Sequence, residues 1–190
     1  LTEKANEEIT LYAVWELQSY TIGYIGTDFD GVINTNKTSY TVEDGKINLM
    51  DPVRAGYTFA GWYDNESFTG EPVKAIEQGN LGDKIFYAKW EANTRTYTVK
   101  HYLQKAEGDG YQWVATQNPK GKTDETVTPP VNTTYGDEYE LPEPQTVTIS
   151  AEKQTVVTYY YKRKVHKLTF EPENGEKTQT VEGRVGATLN

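Results

Sequence analysis

The sequence has no cysteine and only one methionine among its 190 residues. Without cysteine no disulfide can cross-link the fold, and no thiol is available for catalysis or metal binding. Small secreted domains of animals usually carry disulfides, whereas many bacterial surface modules do not. The absence therefore favours a bacterial surface protein over an animal one.

Long apolar runs and clusters of positive charge are also missing. No stretch of about 18 apolar residues occurs, so no membrane-spanning helix is predicted, and the N-terminus lacks a charged-then-apolar signal segment. The net charge is −9, with Lys and Arg scattered along the chain. This composition argues against nucleic acid and against direct membrane insertion.

Residues suited to catalysis are scarce. The two histidines are His101 and His166, and no pattern places either beside a nucleophile as a general base. His101 alternates with Val99 and Leu103 along a predicted strand, which favours a packed structural role. His166 is expected in solvent at a junction between modules. We therefore predict no catalytic residue, no cofactor and no enzyme.

One acidic loop, residues 28–34, resembles the core of a calcium-binding loop. With Gly31 at the sixth position, Gly26 and Lys37 fall where that loop needs Asp and Glu. An acidic hairpin loop is the better interpretation, and no metal site is predicted.

The residues that are abundant are aromatic. Four Trp and fifteen Tyr suit thin β layers, in which each ring buries roughly 150–250 Å². Thr, Val and Tyr alternate along the chain, and no amphipathic run is long enough for three helical turns. The predicted fold class is mainly β, α+β at most, with little or no helix. Residues 71–76 could supply one helical turn, with Pro72 near its start.

Two five-residue segments, 75 positions apart, have nearly the same sequence. They are Leu-Tyr-Ala-Val-Trp at residues 11–15 and Phe-Tyr-Ala-Lys-Trp at residues 86–90. Recurrence at such a period indicates a tandem array of small modules. We predict the end of a preceding repeat, two complete modules and the start of a further repeat, at residues 1–15, 16–92, 93–164 and 165–190.

Alternating segments predict the strands of each module. In the first module they are 19–25, 38–42, 47–49 and 85–90, with Tyr20, Ile22 and Tyr24 on one face. In the second they are 97–104, 111–115, 145–149 and 155–161. In the third repeat, an Asn174-Gly175 turn connects residues 166–170 to a returning strand at 178–181.

The densest motif in the chain is Pro-x-x-x-Gly-Tyr-x-Phe-x-Gly-Trp-Tyr, between residues 52 and 63. With the later Phe-Tyr-Ala-Lys-Trp it resembles the internalin-B-type B repeat, also called the Listeria–Bacteroides repeat, over residues 16–92. The family's Leu is replaced by Phe86, and the first hairpin loop, 26–37, is longer and more acidic than usual. The matching positions are Pro52, Gly56, Tyr57, Phe59, Gly61, Trp62, Tyr63, Tyr87, Ala88 and Trp90. The resemblance implies a β-grasp-like (ubiquitin-like) module from the stalk of a bacterial surface protein.

The second module resembles the mucin-binding-protein-type (MucBP-like) module. The resemblance lies in its Tyr-Thr-Val-x-His-Tyr-Leu opening at residues 97–103 and its Thr-Val-x-Tyr-Tyr-Tyr close at 155–161. It implies contact with host glycan or protein. On a strand, Tyr160 must point opposite to Tyr159 and Tyr161. Tyr160 could cover a second layer or stack on a sugar, so it is a possible ligand contact.

The links between modules are short and contain neither Gly nor Pro. Four residues separate Trp15 from Tyr20, six separate Trp90 from Tyr97, and six separate Tyr161 from Leu168. Such links hold neighbouring modules close. We expect a semi-rigid stalk for adhesion, outside the cell and cell-wall attached or secreted. The alternative is a glycan- or host-protein-binding adhesin module.

Two further expectations concern the core and the chain ends. The rings of Trp62 and Trp90 are predicted to be buried. The chain begins and ends within repeats, so any leader or anchor would lie outside it. The hairpin of the last repeat could receive the strand at residues 9–15 of another molecule. Alternatively, each end docks on its own neighbouring module, and the sequence leaves both possibilities open.

Overall fold

The computed structural model describes residues 10–188. It confirms the mainly β fold class: the described chain contains sixteen strands, and its one helical element is a single 3-10 turn, Thr133–Tyr135. Alternating Thr, Val and Tyr favour the strands because β-branched and aromatic side chains pack well on a pleated surface.

The chain divides into two compact units. Unit 1 comprises residues 1–54 and 59–90, and unit 2 comprises residues 55–58 and 91–190. The predicted segments 93–164 and 165–190 thus lie together in unit 2, with the short segment Ala55–Thr58.

Unit 1 is built on a four-stranded sheet in the order β2-β1-β6-β4. A separate two-stranded sheet pairs β3 with β5. The strands are β1 (Ser19–Ile25), β2 (Ser39–Thr41), β3 (Ile47–Asn48), β4 (Tyr57–Tyr63), β5 (Ala75–Ile76) and β6 (Lys84–Ala92).

The first and last strands of this sheet lie side by side at its centre. β1 pairs antiparallel with β2, with Tyr20 opposite Tyr40. On its other edge β1 pairs parallel with β6, with Tyr24 opposite Phe86. The segment that repeats Leu11–Trp15 is therefore a central closing strand. The β-grasp assignment stays a prediction.

Aromatic rings fill the core of unit 1. Tyr20, Ile22 and Tyr24 share the core face of β1, as the alternation predicts, and Trp62 is buried at 1% exposure. Trp90 packs against the same cluster but is only partly buried. The burial prediction is thus confirmed for Trp62 and met in part for Trp90.

The helical turn predicted at residues 71–76 is wrong. The amide of Val73 donates to the carbonyl of Trp62 at 2.7 Å, and the amide of Leu49 donates to the carbonyl of Lys74 at 2.9 Å. Ala75 and Ile76 then form β5. Because strand partners take these backbone groups, none is left for a helix.

Unit 2 contains a second four-stranded sheet, in the order β12-β14-β8-β9. Three two-stranded pairs accompany it: β10 with β7, β11 with β13, and β15 with β16. The strands are β7 (Thr94–Thr96), β8 (Thr98–Gln104), β9 (Tyr111–Gln117), β10 (Lys120–Lys122), β11 (Thr126–Val127), β12 (Tyr139–Glu140), β13 (Val147–Thr148), β14 (Val156–Arg163), β15 (Val165–Phe170) and β16 (Gln179–Arg184).

The two large sheets share one topology. In unit 2 the opening hairpin is β8–β9, and the closing strand β14 runs parallel to β8, with Tyr160 opposite Tyr102. One further strand, β4 in the first sheet and the two-residue β12 in the second, flanks the closing strand on its other edge. The two sheets thus have a common strand order, while the predicted module boundaries stay a prediction.

The core of unit 2 contains His101, fully buried as the alternation with Val99 predicts. Its Nδ1 lies 2.9 Å from the hydroxyl of Tyr161. The core cluster is Tyr97, Val99, Tyr139, Ile149, Val157, Tyr159 and Tyr161.

The predicted third hairpin is confirmed. β15 and β16 pair antiparallel, with Leu168 opposite Val181, and Gly175 of the turn has φ +81°. His166 is exposed, as expected. At the other end, residues 10–18 form no strand. The rest of the predicted N-terminal strand, residues 1–9, lies outside the described residues.

Candidate functional site

The outer face of the large sheet of unit 2 carries a set of exposed aromatic rings. Along β14, Tyr159 and Tyr161 point into the core with no exposed surface, whereas Tyr160 points outward and is 51% exposed. The strand alternation places Tyr160 where the sequence predicted it. The side chains around Tyr160 determine which ligands the outer face could bind.

Three rings line up across three adjacent strands. Tyr160 of β14 lies opposite Tyr102 of β8, and Tyr102 lies opposite Trp113 of β9. The rings of Tyr160 and Tyr102 are stacked, with centroids 5.3 Å apart and planes inclined by 28°. We call Trp113, Tyr102 and Tyr160 the aromatic row.

Local contacts hold the rings of this row in place. Tyr111 meets Tyr160 edge to face, with centroids 5.0 Å apart. The indole N–H of Trp113 donates to the hydroxyl of Thr116 at 2.9 Å. Trp113 remains 57% exposed. The row is thus a fixed surface that leaves ring faces accessible.

Polar side chains border the row. Alternation along β8 and β14 puts Lys100, Gln104, Thr158 and Lys162 on the same outer face. Glu140 of β12 lies opposite Lys162. Because Lys100 has no acidic residue opposite it on β9 or β14, this part of the face is positive in a chain of net charge −9.

Such a surface suits stacking rather than catalysis. Aromatic faces pack against flat apolar surfaces and attract cations, while the bordering amide, hydroxyl and ammonium groups can hydrogen-bond to a ligand. Among residues 10–188 no group of three or more His, Asp or Glu is placed to hold a metal ion.

Most residues of the B-repeat motif are structural. Pro52 is buried, and the indole of Trp62 donates to the carbonyl of Met50 at 3.0 Å. The indole of Trp90 donates to the carbonyl of Gly26 at 2.8 Å. Phe59 meets both indole rings edge to face, at 5.2 and 5.3 Å. These contacts place the motif in the core of unit 1.

Two further motif residues, Gly61 and Tyr63, are closely packed against their neighbours. Gly61 has φ +127°, and an added Cβ would lie 2.8 Å from Cβ of Pro72. Tyr63 is buried against Phe68, edge to face at 5.6 Å. In β6, Ala88 is buried and Tyr87 is partly buried.

Gly56 and Tyr57 belong to unit 2. The carbonyl of Gly56 accepts from the amide of Asn93 at 2.9 Å. The hydroxyl of Tyr57 donates to the carboxylate of Asp124 at 2.6 Å. The motif therefore supplies residues to both units.

Sequence reasoning singled out Tyr160 but missed its partners in the row. The sequence did contain a usable signal. Tyr102 and Trp113 occupy non-core positions of the two predicted strands, 97–104 and 111–115. Only the register of β8 against β9 and β14 shows that these rings meet in one row.

Comparison with known proteins places the first module in a described family. Residues 20–89 match the Listeria–Bacteroides repeat domain. The chain is 35% identical over 89 residues to internalin H of Listeria monocytogenes, covering 46% of this chain and 15% of that protein. It is 32% identical over 102 residues to a protein of Evansella cellulosilytica provisionally named a membrane protein, covering 53% of this chain and 14% of that protein.

The chain thus spans about one seventh of the length of these relatives. No solved structure matches it. Across the described residues, no helix has the length and apolar character needed to cross a bilayer. Residues 20–89 match the Listeria–Bacteroides repeat domain, which is found in surface proteins such as the internalins, and this is consistent with a repeat region of a bacterial surface protein.

Proposed function

We propose that the chain is a non-catalytic repeat region that serves as a semi-rigid stalk for adhesion on the bacterial surface, cell-wall attached or secreted. The family match of residues 20–89 and the relative internalin H support a surface repeat region. The stalk role rests on the joint between the repeats.

The observation that supports the stalk role is the short connection between β6 and β7. β6 ends at Ala92 and β7 begins at Thr94, so Asn93 alone separates the two strands. Its amide donates to the carbonyl of Gly56 and its carbonyl accepts from the amide of Thr123, both at 2.9 Å. Its side-chain oxygen accepts from the hydroxyl of Thr58 at 2.6 Å. All three partners lie in unit 2 with Asn93, so these bonds fix the residue within that unit. The stalk proposal rests on the shortness of the connection, which contains neither Gly nor Pro and so lacks the flexibility of a Gly/Ser linker.

Small-angle scattering of the whole chain tests this role. A stalk predicts an elongated particle whose maximum dimension stays constant between low and high salt. A compact globule, or a profile typical of an ensemble of shapes, would contradict it.

A second candidate function is a glycan- or host-protein-binding adhesin module. The specific support is the aromatic row, in which Tyr160 and Trp113 are exposed and Tyr102 is partly buried on the strand between them. Exposed apolar patches mark interaction sites more often than isolated rings do. Within this alternative, the MucBP-like resemblance of residues 93–164 suggests a host glycan, and Tyr160 is the central contact.

Binding of the chain to an array of immobilised glycans tests this candidate. Tyr160→Ala and Trp113→Ala should each weaken any signal by about tenfold, since an aromatic stacking contact is worth about 0.5–1.5 kcal/mol beyond its buried area and about 1.4 kcal/mol is tenfold in affinity. Tyr12→Ala, which removes an exposed ring outside the row, is the matched control. Equal losses in all three variants, or no signal from the parent chain, would argue against the row as a glycan site.

A further inference from the structure

Hairpin β15–β16 follows the four-stranded sheet of unit 2 after a single residue, Lys164, which separates β14 from β15. The amide of Lys164 donates to the carbonyl of Glu138 at 2.9 Å, and its ammonium donates to the carbonyl of Gly136 at 2.6 Å. The carbonyl of Lys164 accepts from the amide of Val185 at 2.9 Å. The connecting residue therefore has partners beside the sheet and at the end of the hairpin.

The side chain of Arg163, the last residue of β14, also has partners on both sides of this connection. On the sheet side, its Nε donates to the carbonyl of Gln104 at 3.0 Å, and its Nη1 lies 3.3 Å from the carboxylate of Glu138. On the hairpin side, Nη1 donates to the carbonyl of Val185 at 2.7 Å. The guanidinium lies 4.8 Å from the centroid of the Tyr139 ring. One side chain thus links the end of β8, the start of β12 and the end of β16.

Arg163 is well shielded for a charged side chain, at 17% exposure. A charge removed from water is costly unless its hydrogen bonds are made, and the planar guanidinium makes them only in fixed directions. The hairpin end is also close to it, since a Cβ added to Gly186 would lie 3.3 Å from Nη1. The position of the hairpin end is therefore coupled to this guanidinium.

A second guanidinium, that of Arg184 at the end of β16, contacts the loop between β8 and β9. It donates to the carbonyl of Gly108, and its Nη2 lies 3.1 Å from the carboxylate of Asp109. Nearby, the amide of Thr188 donates to the carboxylate of Glu107 at 3.3 Å. Asp109 is 99% exposed, so salt screens its ion pair with Arg184 more strongly than it screens the contacts of Arg163.

We propose that Arg163 and Arg184 form a guanidinium clasp that fixes hairpin β15–β16 on the four-stranded sheet of unit 2. The surface that receives the two guanidinium groups consists of residues 107–109 and Glu138, which present carboxylates and carbonyls to them. Arg163 is the principal contact because it is shielded and joins three segments of the chain. Arg184 adds a weaker contact that is sensitive to salt.

This inference rests on the proposed stalk function for its role, since a stalk needs a fixed joint after each repeat. Its contacts all lie within unit 2. A compact particle in the scattering test would count against the stalk and leave the clasp in place. A mobile hairpin would count against the clasp alone.

Pulsed electron paramagnetic resonance between labels at Thr116→Cys in β9 and Thr169→Cys in β15 tests the clasp. Both positions are exposed, and the chain has no native cysteine. The parent should give one narrow distance distribution, and Arg163→Gln should give a broad one. Lys162→Gln is the matched control, because it removes the same charge from an exposed neighbour and should keep the distribution narrow.

A second pair of labels distinguishes a loosened hairpin from an unfolded sheet. Thr116→Cys with Glu140→Cys lies within the sheet, at β9 and β12, and its distribution should stay narrow in Arg163→Gln. Arg163→Lys is a milder variant, since an ammonium keeps the charge but cannot make the same directed bonds. It should also broaden the distance from Thr116 to Thr169.

Hydrogen exchange measures the size of the effect at the connection. The amide of Lys164 is protected by its bond to the carbonyl of Glu138. In Arg163→Gln this amide should exchange about tenfold faster or more, since a hydrogen bond to a charged group contributes roughly that factor to a local opening equilibrium. In Lys162→Gln its exchange rate should be unchanged.

Salt distinguishes the two arginines. Raising the salt from about 0.1 to 1 M shortens the Debye length from about 10 to 3 Å. The distance from Thr116 to Thr169 should then broaden slightly in the parent, because the ion pair of Arg184 with Asp109 is weakened. Asp109→Asn should show that width already at low salt and should no longer respond to salt.

Four results would overturn the clasp or one of its parts. A broad distribution in the parent, or equal widths in Arg163→Gln and Lys162→Gln, would contradict the whole proposal. Equal broadening of the pair within the sheet would show that Arg163 stabilises the sheet instead of holding the hairpin. Widths unaffected by salt and by Asp109→Asn would remove Arg184 from the clasp.

Discussion

The hydroxyl of Tyr161 lies 2.9 Å from Nδ1 of His101 in the core of unit 2. The same hydroxyl accepts from the amide of Asn132 at 2.8 Å, which directs its single proton towards Nδ1. The imidazole then carries its own proton on Nε2, which is buried with no hydrogen-bond partner in the described chain. Burial lowers the pKa of His101, so the folded core holds the neutral ring.

Acid should therefore destabilise unit 2 through His101. In the unfolded chain a histidine titrates near pH 6.5, and in the folded chain its pKa is lower. Below about pH 6.5 the unfolded state binds more protons, so the free energy of unfolding falls as the pH decreases towards the folded-state pKa. Urea unfolding at pH 7.5 and pH 5 measures this loss.

Two variants identify which histidine causes the loss of stability in acid. His101→Gln should flatten the pH dependence between these values, whereas His166→Gln, in an exposed position, should leave it unchanged. The same slope in His101→Gln and the parent would show that another group causes the acid sensitivity.

Removing the Tyr161 hydroxyl should also destabilise unit 2. Tyr161→Phe keeps the ring but leaves the buried Nδ1 of His101 and the partly buried amide of Asn132 without a partner, at a cost of about 1–3 kcal/mol. Tyr160→Phe, which changes an exposed hydroxyl, should cost almost nothing. Urea unfolding of both variants measures the two losses of stability. Equal stabilities would rule out the hydrogen bonds of Tyr161 as a stabilising feature.

A buried and an exposed tryptophan should respond differently to truncation. Trp62 is 1% exposed and Trp113 is 57% exposed. Trp62→Ala should cost about 3–5 kcal/mol, enough to unfold a module this small, whereas Trp113→Ala should leave folding intact. If near-ultraviolet circular dichroism and urea unfolding show Trp62→Ala to be as stable as the parent, the core assignment is wrong.

Two glycines with positive φ provide a test of close packing. Gly61→Ala must adopt a strained backbone at φ +127° and also place a Cβ 2.8 Å from Pro72. Gly70→Ala has φ +82° but meets no atom within 4 Å. Both should lose about 1 kcal/mol or more from strain, and Gly61→Ala should lose clearly more in thermal unfolding. Equal losses would mean that the chain relaxes around position 61.

The strands and most of their faces could be predicted from the sequence, because period-two alternation is a local property. Tyr20, Ile22 and Tyr24 share a core face, and Tyr160 points away from Tyr159, as alternation requires. The Asn174-Gly175 turn was also readable, since it favours a tight hairpin.

Features that depend on distant partners could not be predicted. The parallel pairs β1–β6 and β8–β14 join segments about 60 residues apart, and no local pattern specifies them. The helical turn at residues 71–76 was wrong because pairing of Val73 with Trp62 overrides the local preference set by Pro72. Trp90 is only partly buried, and its indole N–H donates to the carbonyl of Gly26, a partner 64 residues away.

The aromatic row could not be predicted either, because it depends on pairing between distant segments. Tyr102, Trp113 and Tyr160 are far apart in sequence, and each alone looks like an exposed ring. Their alignment follows from the registers of β8 with β9 and β14.

The central claim, a semi-rigid stalk, is tested most directly by pulsed electron paramagnetic resonance between spin labels at Ile85→Cys in unit 1 and Lys162→Cys in unit 2. Both positions are exposed, and no native cysteine competes for the label. The account predicts one distance distribution nearly as narrow as that of a pair within unit 2, Thr116→Cys with Lys162→Cys, and a broader one after Asn93→Gly. A broad distribution in the parent, unchanged by Asn93→Gly, would contradict it.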